Sequence, residues 1–373
     1  MSGALDGIRV LEFASYVAGP YAGMILGDMG AEVIKVENPE GGDPFRGWGD
    51  KKTSPIFEAL NRNKKSITAD LKSTMDLDKI IKLASTADVL IQNFRSGILS
   101  RAGLGYDDLA RVNSRLVYCS ISGFGEDGPY SGRPGYDTIG QAMGGLMSLM
   151  TDLSNPKPVG YSFSDHFAGM AATQAILAAL FSRERSGRGQ FVDTSLLQST
   201  ISMVGENASR YFFDNEVPNR ESRVHLAQVY AFIDKEGLPF VIHLSSPEKF
   251  WKGLLKAINR EELAKDPRFR ERNLRIKNSE ILRETLASTF KNGSRRNWLE
   301  TLLKNDVPAG PINTLAEVFE DPQVEKLGLK ANISHPLMGK LELVRSGFNL
   351  AETPLELRSR APNLGEHNSE IFK

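Results

Sequence analysis

The tightest constraint on this chain is how little sequence separates its first two apolar runs. Arg9–Phe13 (RVLEF) and Glu32–Val36 (EVIKV) both read as strands. The ~28 residues from Arg9 to Val36 leave room for one turn, one short helix and the second strand, which forces a parallel pair with a right-handed crossover. Ala18-Gly19-Pro20 makes the turn, with Pro20 suited to a first helical turn, and Tyr21–Gly30 is the helix, stopped by Gly30. The unit recurs. Leu77–Ser85 reads as helix before the strand Ala87–Gln92, and Tyr106–Asn113 as helix before the strand Arg115–Ile121. Such alternation predicts an α/β fold, an open sheet covered on both faces.

Further along, Tyr136–Met150 reads as a helix rich in Gly and Met. Asp165–Glu184 reads as a long helix with Met170, Thr173, Leu177, Leu180 and Phe181 at helical spacing, ended by SGRG. Gln190–Thr194 is a strand and Leu196–Phe213 another helix. The texture changes near Asn219: Gln228–Ile233 and Pro239–Leu244 flank DKEG as an antiparallel hairpin. Charged helices follow around Pro247–Ile258, Ser279–Lys291 and Asn297–Lys304. A chain of 373 residues exceeds the ~250–300 that one core serves, so two domains are expected. The large α/β domain takes 1–215, completed by 325–373; a smaller α+β domain takes 222–315, with a linker over 316–330.

Lys+Arg and Asp+Glu both number 46, a net charge of +0, which argues against a basic nucleic-acid coat or a membrane-surface protein. No run approaches the ~18 apolar residues of a membrane span, and the first residues lack a basic-then-apolar leader. The one cysteine, Cys119, permits no intrachain disulfide, and a cytoplasmic protein with no nucleic-acid or membrane partner is expected. Gly123–Gly128 (GFGEDG) follows a strand with dinucleotide-motif spacing, but Pro129, Gly132, Arg133 and Pro134 come next where a helix is required, so a structural turn is expected. No phosphate-binding G-x-x-x-x-G-K-[ST] loop and no G-x-S-x-G elbow is present. The five histidines, His166, His225, His243, His335 and His367, are scattered, and no metal is expected. Cys119 lies in an apolar strand, where a thiol is usually inert. Asp165, at the mouth of the long helix, has two readings: a helix cap, or a carboxylate nucleophile favoured by the helix N-terminus.

The segments LDGIRVLEFASYVAGPYAGMILGDMGAEVIKVENPEGGD, NRNKKSITADLK, NFRSGILSRAGLGYDDLARVNSRLVYCSISGFGEDGPYSGRPGYD, SDHFAGMAATQAILAALFSRERSGRGQFVDTSLL and RAPNLGEHN follow in this order. Together they resemble the class III CoA-transferases, a family that includes the α-methylacyl-CoA racemases. The resemblance implies a Rossmann-like large domain joined to a small one, and two ring-like subunits interlocked as a homodimer. It implies acyl-CoA and a free carboxylic acid as substrates, with no tightly bound cofactor. Asp165 resembles the family's nucleophilic aspartate. Ser15, Tyr16, Val17 and Ala18 are similar to the loop near the thioester. Leu71, Lys72, Asn93, Phe94, Arg95, Arg101 and Ala102 are similar to segments around the CoA nucleotide, although on their own Arg95 and Arg101 read as solvated loop charges. Tyr136 and Asp137 belong to the GYD turn facing the reacting centre.

Three departures put formate/oxalate specificity in doubt. Val17 stands where formyl-CoA transferases carry glutamine, Asn38 where they carry a basic residue, and their glycine-rich substrate loop is not evident between Phe213 and the hairpin. The expected activity is transfer of CoA from an acyl-CoA to a carboxylic acid. A 2-methylacyl-CoA racemase is the alternative, but those enzymes carry G-H-D where this chain has Gly135-Tyr136-Asp137, leaving His166 as a substitute base. A non-catalytic acyl-CoA-binding subunit is the third reading.

Overall fold

The computed structural model describes residues 3–49 and 54–373. The chain divides into two compact units, Met1–Ser209 with Leu327–Lys373, and Arg210–Lys326. The first is built on six parallel strands: β1 Arg9–Phe13, β2 Glu32–Glu37, β3 Lys64–Thr68, β4 Val89–Gln92, β5 Val117–Ser122 and β6 Phe191–Ser195. Their order is β3-β2-β1-β4-β5-β6. The chain leaves β1 toward one edge and returns from β3 to β4 on the other side, so β1 and β4 flank the point where the winding reverses.

Helices cover both faces. They are α1 Ala18–Asp28, α2 Pro55–Asn61, α3 Thr74–Ala84, α4 Ile98–Arg101, α5 Tyr106–Val112, α6 Asp137–Met143, α7 Phe163–Ser186 and α8 Leu196–Met203; α9 Gly205–Asp214 then carries the chain from the first unit into the second. Val10, Val33, Val89, Val117, Cys119 and Ile121 point to one face and pack on Ala22, Ile25 and Leu26 of α1 and on Ala168, Ala172 and Ile176 of α7. Leu11, Ile34, Ile67, Leu90 and Tyr118 point to the other and meet Ile80 of α3, Leu99 of α4 and Leu109 of α5. Alternate residues of each strand thus serve opposite layers.

Several elements differ from the reading of the sequence. Helix α1 begins at Ala18, which puts Pro20 inside its first turn, where the missing N–H leaves no bond unmade. Strand β3 was not anticipated, because KKSIT has a charged start; Lys64 is nonetheless turned inward and buried. Thr173 and Leu180 are on the buried face of α7, as their spacing implied, but that face is otherwise Ala168, Ala172, Ile176 and Ala179, whereas Met170 and Phe181 are exposed. The Tyr136–Met150 helix is shorter, ending at Met143 before a turn of 3₁₀-helix at Met147–Leu149. The helix from Leu196 breaks between Met203 and Gly205. Gly123–Gly128 forms turns, with Gly125 and Gly128 at positive φ and no helix following. No helix among the described residues is long and apolar enough to cross a membrane.

The second unit holds an antiparallel sheet of β7 Val229–Ile233, β8 Pro239–His243 and β9 Ala309–Pro311. Phe232, Phe240 and Phe290 pack in its core with tilted and edge-on rings, beside Trp251, Leu254 and Leu286. The chain then rejoins the first unit through β10 Lys330–His335 and β11 Gly339–Val344, an antiparallel pair. Its last stretch is tied down where Asn63 N–H donates to Ser359 O at 3.0 Å and Arg358 N–H to Asn63 Oδ1 at 2.7 Å.

Four buried charges lie under α1. Glu12 accepts from Lys35 Nζ at 3.1 Å and from Lys64 Nζ at 2.7 Å, and Asp43 pairs with Lys35 at 2.9 Å. Gly23 of α1 makes room for them: a Cβ there would lie 1.9 Å from Glu12 Oε2. Gly23→Ala is therefore expected to lower the free energy of unfolding by at least about 1–3 kcal/mol, the usual cost of overpacking, read as a lower urea midpoint at unchanged slope.

Candidate active site

The carboxyl ends of β1, β4 and β5 open into a cavity of about 210 Å³. Tyr16, Val17 and Ala18 line it from the segment between β1 and α1, and Asn93, Phe94, Arg95 and Ser96 from the segment after β4. Ser122 and Gly123 close it at the end of β5, Arg133 and Tyr136 come from the loop before α6, and Asp165 projects from α7. A crevice at the carboxyl ends, beside the point of winding reversal, is where open α/β sheets bind ligands. Size alone would choose elsewhere: a cavity of about 550 Å³ lies at the opposite strand ends, among Gly30, Glu32, Lys65, Arg358 and His367. Chemistry favours the smaller one.

The walls are pinned by local hydrogen bonds. Asn93 donates through Nδ2 to Ser15 O at 2.7 Å and accepts from Ser15 N–H at 3.0 Å, tying the exit of β4 to that of β1. Tyr16 has φ +65, a left-handed conformation costly for a residue with a side chain. Its N–H donates to Asp43 Oδ1 at 3.2 Å, and its ring stands edge-on to Tyr136 with centroids 5.8 Å apart.

Asp165 is half-buried in the first turn of α7. It is not the cap. Ser162 holds the capping position without a side-chain bond, and Asp165 is third in the helix. Its own N–H, one of those a helix start leaves unpaired, donates to Asp137 Oδ1 at 3.2 Å. Gln141 Nε2 donates to the other Asp137 oxygen at 2.6 Å and to Tyr161 O at 2.9 Å, so Asp137 is engaged in holding α6 to α7. Ser164 Oγ and Thr200 Oγ1, 2.7 Å apart, anchor the same turn to α8. Among the described residues nothing donates a hydrogen bond to the Asp165 carboxylate; burial first, then the Asp137 charge, push it up to about 7. A carboxylate left free in this way is available to a ligand.

The sequence profile of CoA-transferase family III matches residues 5–368. The chain belongs to the family III CoA-transferases. It is 36% identical over 375 residues to succinyl-CoA:glutarate CoA-transferase of Mus musculus, covering 99% of this chain and 86% of that protein. It is 35% identical over 380 residues to succinate–glutarate CoA-transferase of Agrobacterium fabrum, covering 99% and 94%. A crystal structure of a CAIB/BAIF family protein from Brucella suis superposes with TM-score 0.88 at 38% identity, covering 100% of this chain and 99% of that one.

Of the residues that the sequence singled out in this CoA-transferase, Tyr16, Val17, Ala18, Asn93, Phe94, Arg95, Tyr136 and Asp165 share the cavity. Leu71 and Lys72 lie instead with Asn38 in a groove of about 190 Å³, which Phe94 also lines. Phe94 thus stands between the two. Arg101 and Ala102 line neither; Arg101 is exposed, and its Nη1 would lie 3.0 Å from a Cβ at Gly97. Asp137 acts behind the wall. Ser96, Ser122 and Arg133 were not anticipated; they come from the segment after β4, the last residue of β5 and the loop before α6, and only the position of Arg133 just before the GYD turn hinted at one of them. Among the described residues no group of three or more His, Cys, Asp or Glu side chains is placed to hold a metal ion.

The raised Asp165 value has a measurable sign. The native state keeps its proton at pH values where the unfolded chain, near 3.9, has lost it, so Asp165 stabilises less and less as pH rises from about 4 through 7. Asp165→Asn should therefore gain stability relative to the parent across that window. In Asp137→Asn, with one repelling charge gone, the fall should begin at the same pH, set by the unfolded chain, but end at a lower pH and so be smaller. Thermal melts from pH 4.5 to 8 read both.

Proposed function

We propose that this enzyme moves CoA from an acyl-CoA thioester to a free carboxylic acid through covalent intermediates on Asp165. The observation that supports this most directly is the Asp165 carboxylate itself, unpaired by hydrogen bonds and facing the cavity where the strand ends meet. Asp165 attacks the thioester carbonyl, forming an aspartyl anhydride and releasing CoA thiolate. The thiolate attacks the aspartyl carbonyl, giving an aspartyl-CoA thioester and the free donor acid. The acceptor carboxylate then runs the sequence in reverse. Each step exchanges one activated carboxyl for another, the advantage of covalent catalysis. A carboxylate of raised pKa is the more basic, and so the stronger, nucleophile once ionised. The first N–H groups of α1, at Ala18 beside the cavity, favour the negative charge that develops there.

Binding of CoA falls to the two adjoining hollows. The groove of Leu71 and Lys72 takes the nucleotide end, Phe94 separates it from the thioester, and Asn93 and Arg95 flank the phosphates from the cavity wall; the exposed Arg101, with Ala102, meets them from outside both hollows. Tyr16, Val17, Ala18, Tyr136 and Asp137 surround or brace the reacting end. The acids in the names of the mouse and Agrobacterium relatives are dicarboxylates, and the cationic Arg133 on the cavity wall suits a second carboxylate, so small dicarboxylic acids are the proposed acceptor class. The enzyme works as a homodimer in the cytoplasm, and no cofactor is held tightly.

His166 counts against the racemase reading. Its ring stacks on Tyr161 at 4.9 Å and meets Tyr21 edge-on at 4.7 Å, its Nδ1 lies 2.7 Å from Ser162 O, and it is not among the residues lining the cavity. A silent binding subunit has no use for a free carboxylate at that place.

Asp165→Asn keeps the shape and loses the nucleophile. Transfer from succinyl-CoA to glutarate should fall by more than about 10³-fold with the fold intact. Hydroxylamine should trap the parent's acyl-enzyme at Asp165, found by peptide mass spectrometry; an Asn variant within tenfold of the parent overturns the assignment. In heavy water without an acceptor acid, a 2-methylacyl-CoA should keep its α-proton. Deuterium uptake at a turnover rate there would restore the racemase.

A further inference from the structure

Glu12, Lys35, Lys64 and Asp43 are all buried, two cations against two anions, and none lines the cavity. Burying four charges is costly unless each is paired and hydrogen-bonded. Beyond one another, three of them grip the same stretch of backbone. Lys35 Nζ donates to Ala14 O at 2.5 Å, Asp43 Oδ1 accepts from Tyr16 N–H at 3.2 Å, and Lys64 Nζ donates to Pro20 O at 2.8 Å. Ala14, Tyr16 and Pro20 bracket the Tyr16–Ala18 wall of the cavity that contains Asp165. The middle grip carries the strain, because Tyr16 is the residue held at φ +65.

We propose that Asp43 is a positioning residue for the transfer site: from within the buried charge cluster it holds the Tyr16 N–H and so fixes the wall that Asp165 works against. Asp43 is built for this. One carboxylate oxygen takes both the Tyr16 and the Phe45 N–H groups, the latter at 3.0 Å, and the other pairs with Lys35 at 2.9 Å. Its own N–H donates to Glu37 Oε2 at 3.1 Å, and Glu37 is in turn fixed by Arg46 at 2.7 Å. Asp43 therefore has no freedom to follow Tyr16; Tyr16 must follow Asp43. The inference rests on Asp165 being the nucleophile, since only then does the placement of this wall set a rate.

The test uses the full-length enzyme, with succinyl-CoA and glutarate as probes, and amide hydrogen exchange at Tyr16. In Asp43→Ala, kcat per folded molecule should fall about ten- to a hundredfold, the scale on which small misplacements act, with KM for succinyl-CoA within about threefold of the parent. Exchange at Tyr16 should quicken by more than about tenfold while Phe13 in β1 keeps its protection. Asp43→Asn retains an oxygen for the two N–H donors but not the charge for Lys35; it should melt lower yet recover most of kcat. A purely structural role predicts the opposite, kcat falling in step with melting temperature in both variants or KM rising in proportion, and either result overturns the proposal, as does unchanged Tyr16 exchange in Asp43→Ala. If Asp43→Ala does not fold, Asp43→Asn and the parent decide: Tyr16 must be protected in the parent to within about tenfold of Phe13, and faster exchange refutes the grip. A folded parent that transfers no CoA refutes the nucleophile reading instead, and the exchange data still show whether Asp43 holds the loop.

Discussion

Helix α7 touches the start of α1 because residue 169 has no side chain. A Cβ on Gly169 would lie 2.7 Å from Ala18 O, so any larger residue would wedge the two helices apart. Asp165 sits one turn before Gly169 on the same helical face, and the contact therefore delivers its carboxylate to the level of Val17 and Ala18. Ala168, Ala172 and Ile176 continue the seam over the sheet. Gly19 plays a similar part on α1, where a Cβ would lie 2.3 Å from that of Ala14. Small residues at this seam are what allow a helix start, two strand ends and a carboxylate to share one hollow.

The first unit treats buried charge in two ways. Around Lys35 the charges cancel, and desolvation, which opposes the ammonium, is outweighed by Glu12 and Asp43, which hold it above the usual lysine value. Around Asp165 nothing cancels: the nearest charge is the like-signed Asp137, and the carboxyl is left without a donor. The first arrangement gives rigidity. The second leaves a group whose energy is lowered when it gains a bond, which is the condition of a nucleophile at rest.

Much of this architecture could be read from residue patterns. The tight Arg9–Val36 crossover and its repeats led to the parallel sheet, since period and loop length leave few alternatives. Strand β3 escaped because hydropathy counts Lys64 as a surface residue, while its stem and ammonium lie in the interior against Glu12. Thr173 and Leu180 of α7 are buried as their spacing implied, but Met170 and Phe181 are not, because Met and Phe outweigh Ala on an apolar scale while close helix approach selects Ala and Gly. At the site, spacing alone left Asp165 between cap and nucleophile, and the resemblance favoured the second. Arg133, Ser96 and Ser122 meet only through the fold, and Asp43 exerts its hold from a segment that carries no chemistry of its own. Pairings across distant loops leave no periodic trace in a single sequence.

The chain's single thiol has a bearing on how the reaction can be followed. Cys119 is fully buried in the central sheet, on the layer beneath α1 and α7, and burial pushes its thiol far up. A thiolate is the reactive form, so this sulfur is inert to disulfide exchange while the protein stays folded. Transfer returns CoA to a thioester in every cycle, so turnover leaves no free CoA thiol behind. With neither product nor catalyst offering a reactive thiol, a thiol-reactive dye stays silent during transfer, and a signal marks either thioester hydrolysis or unfolding of the protein.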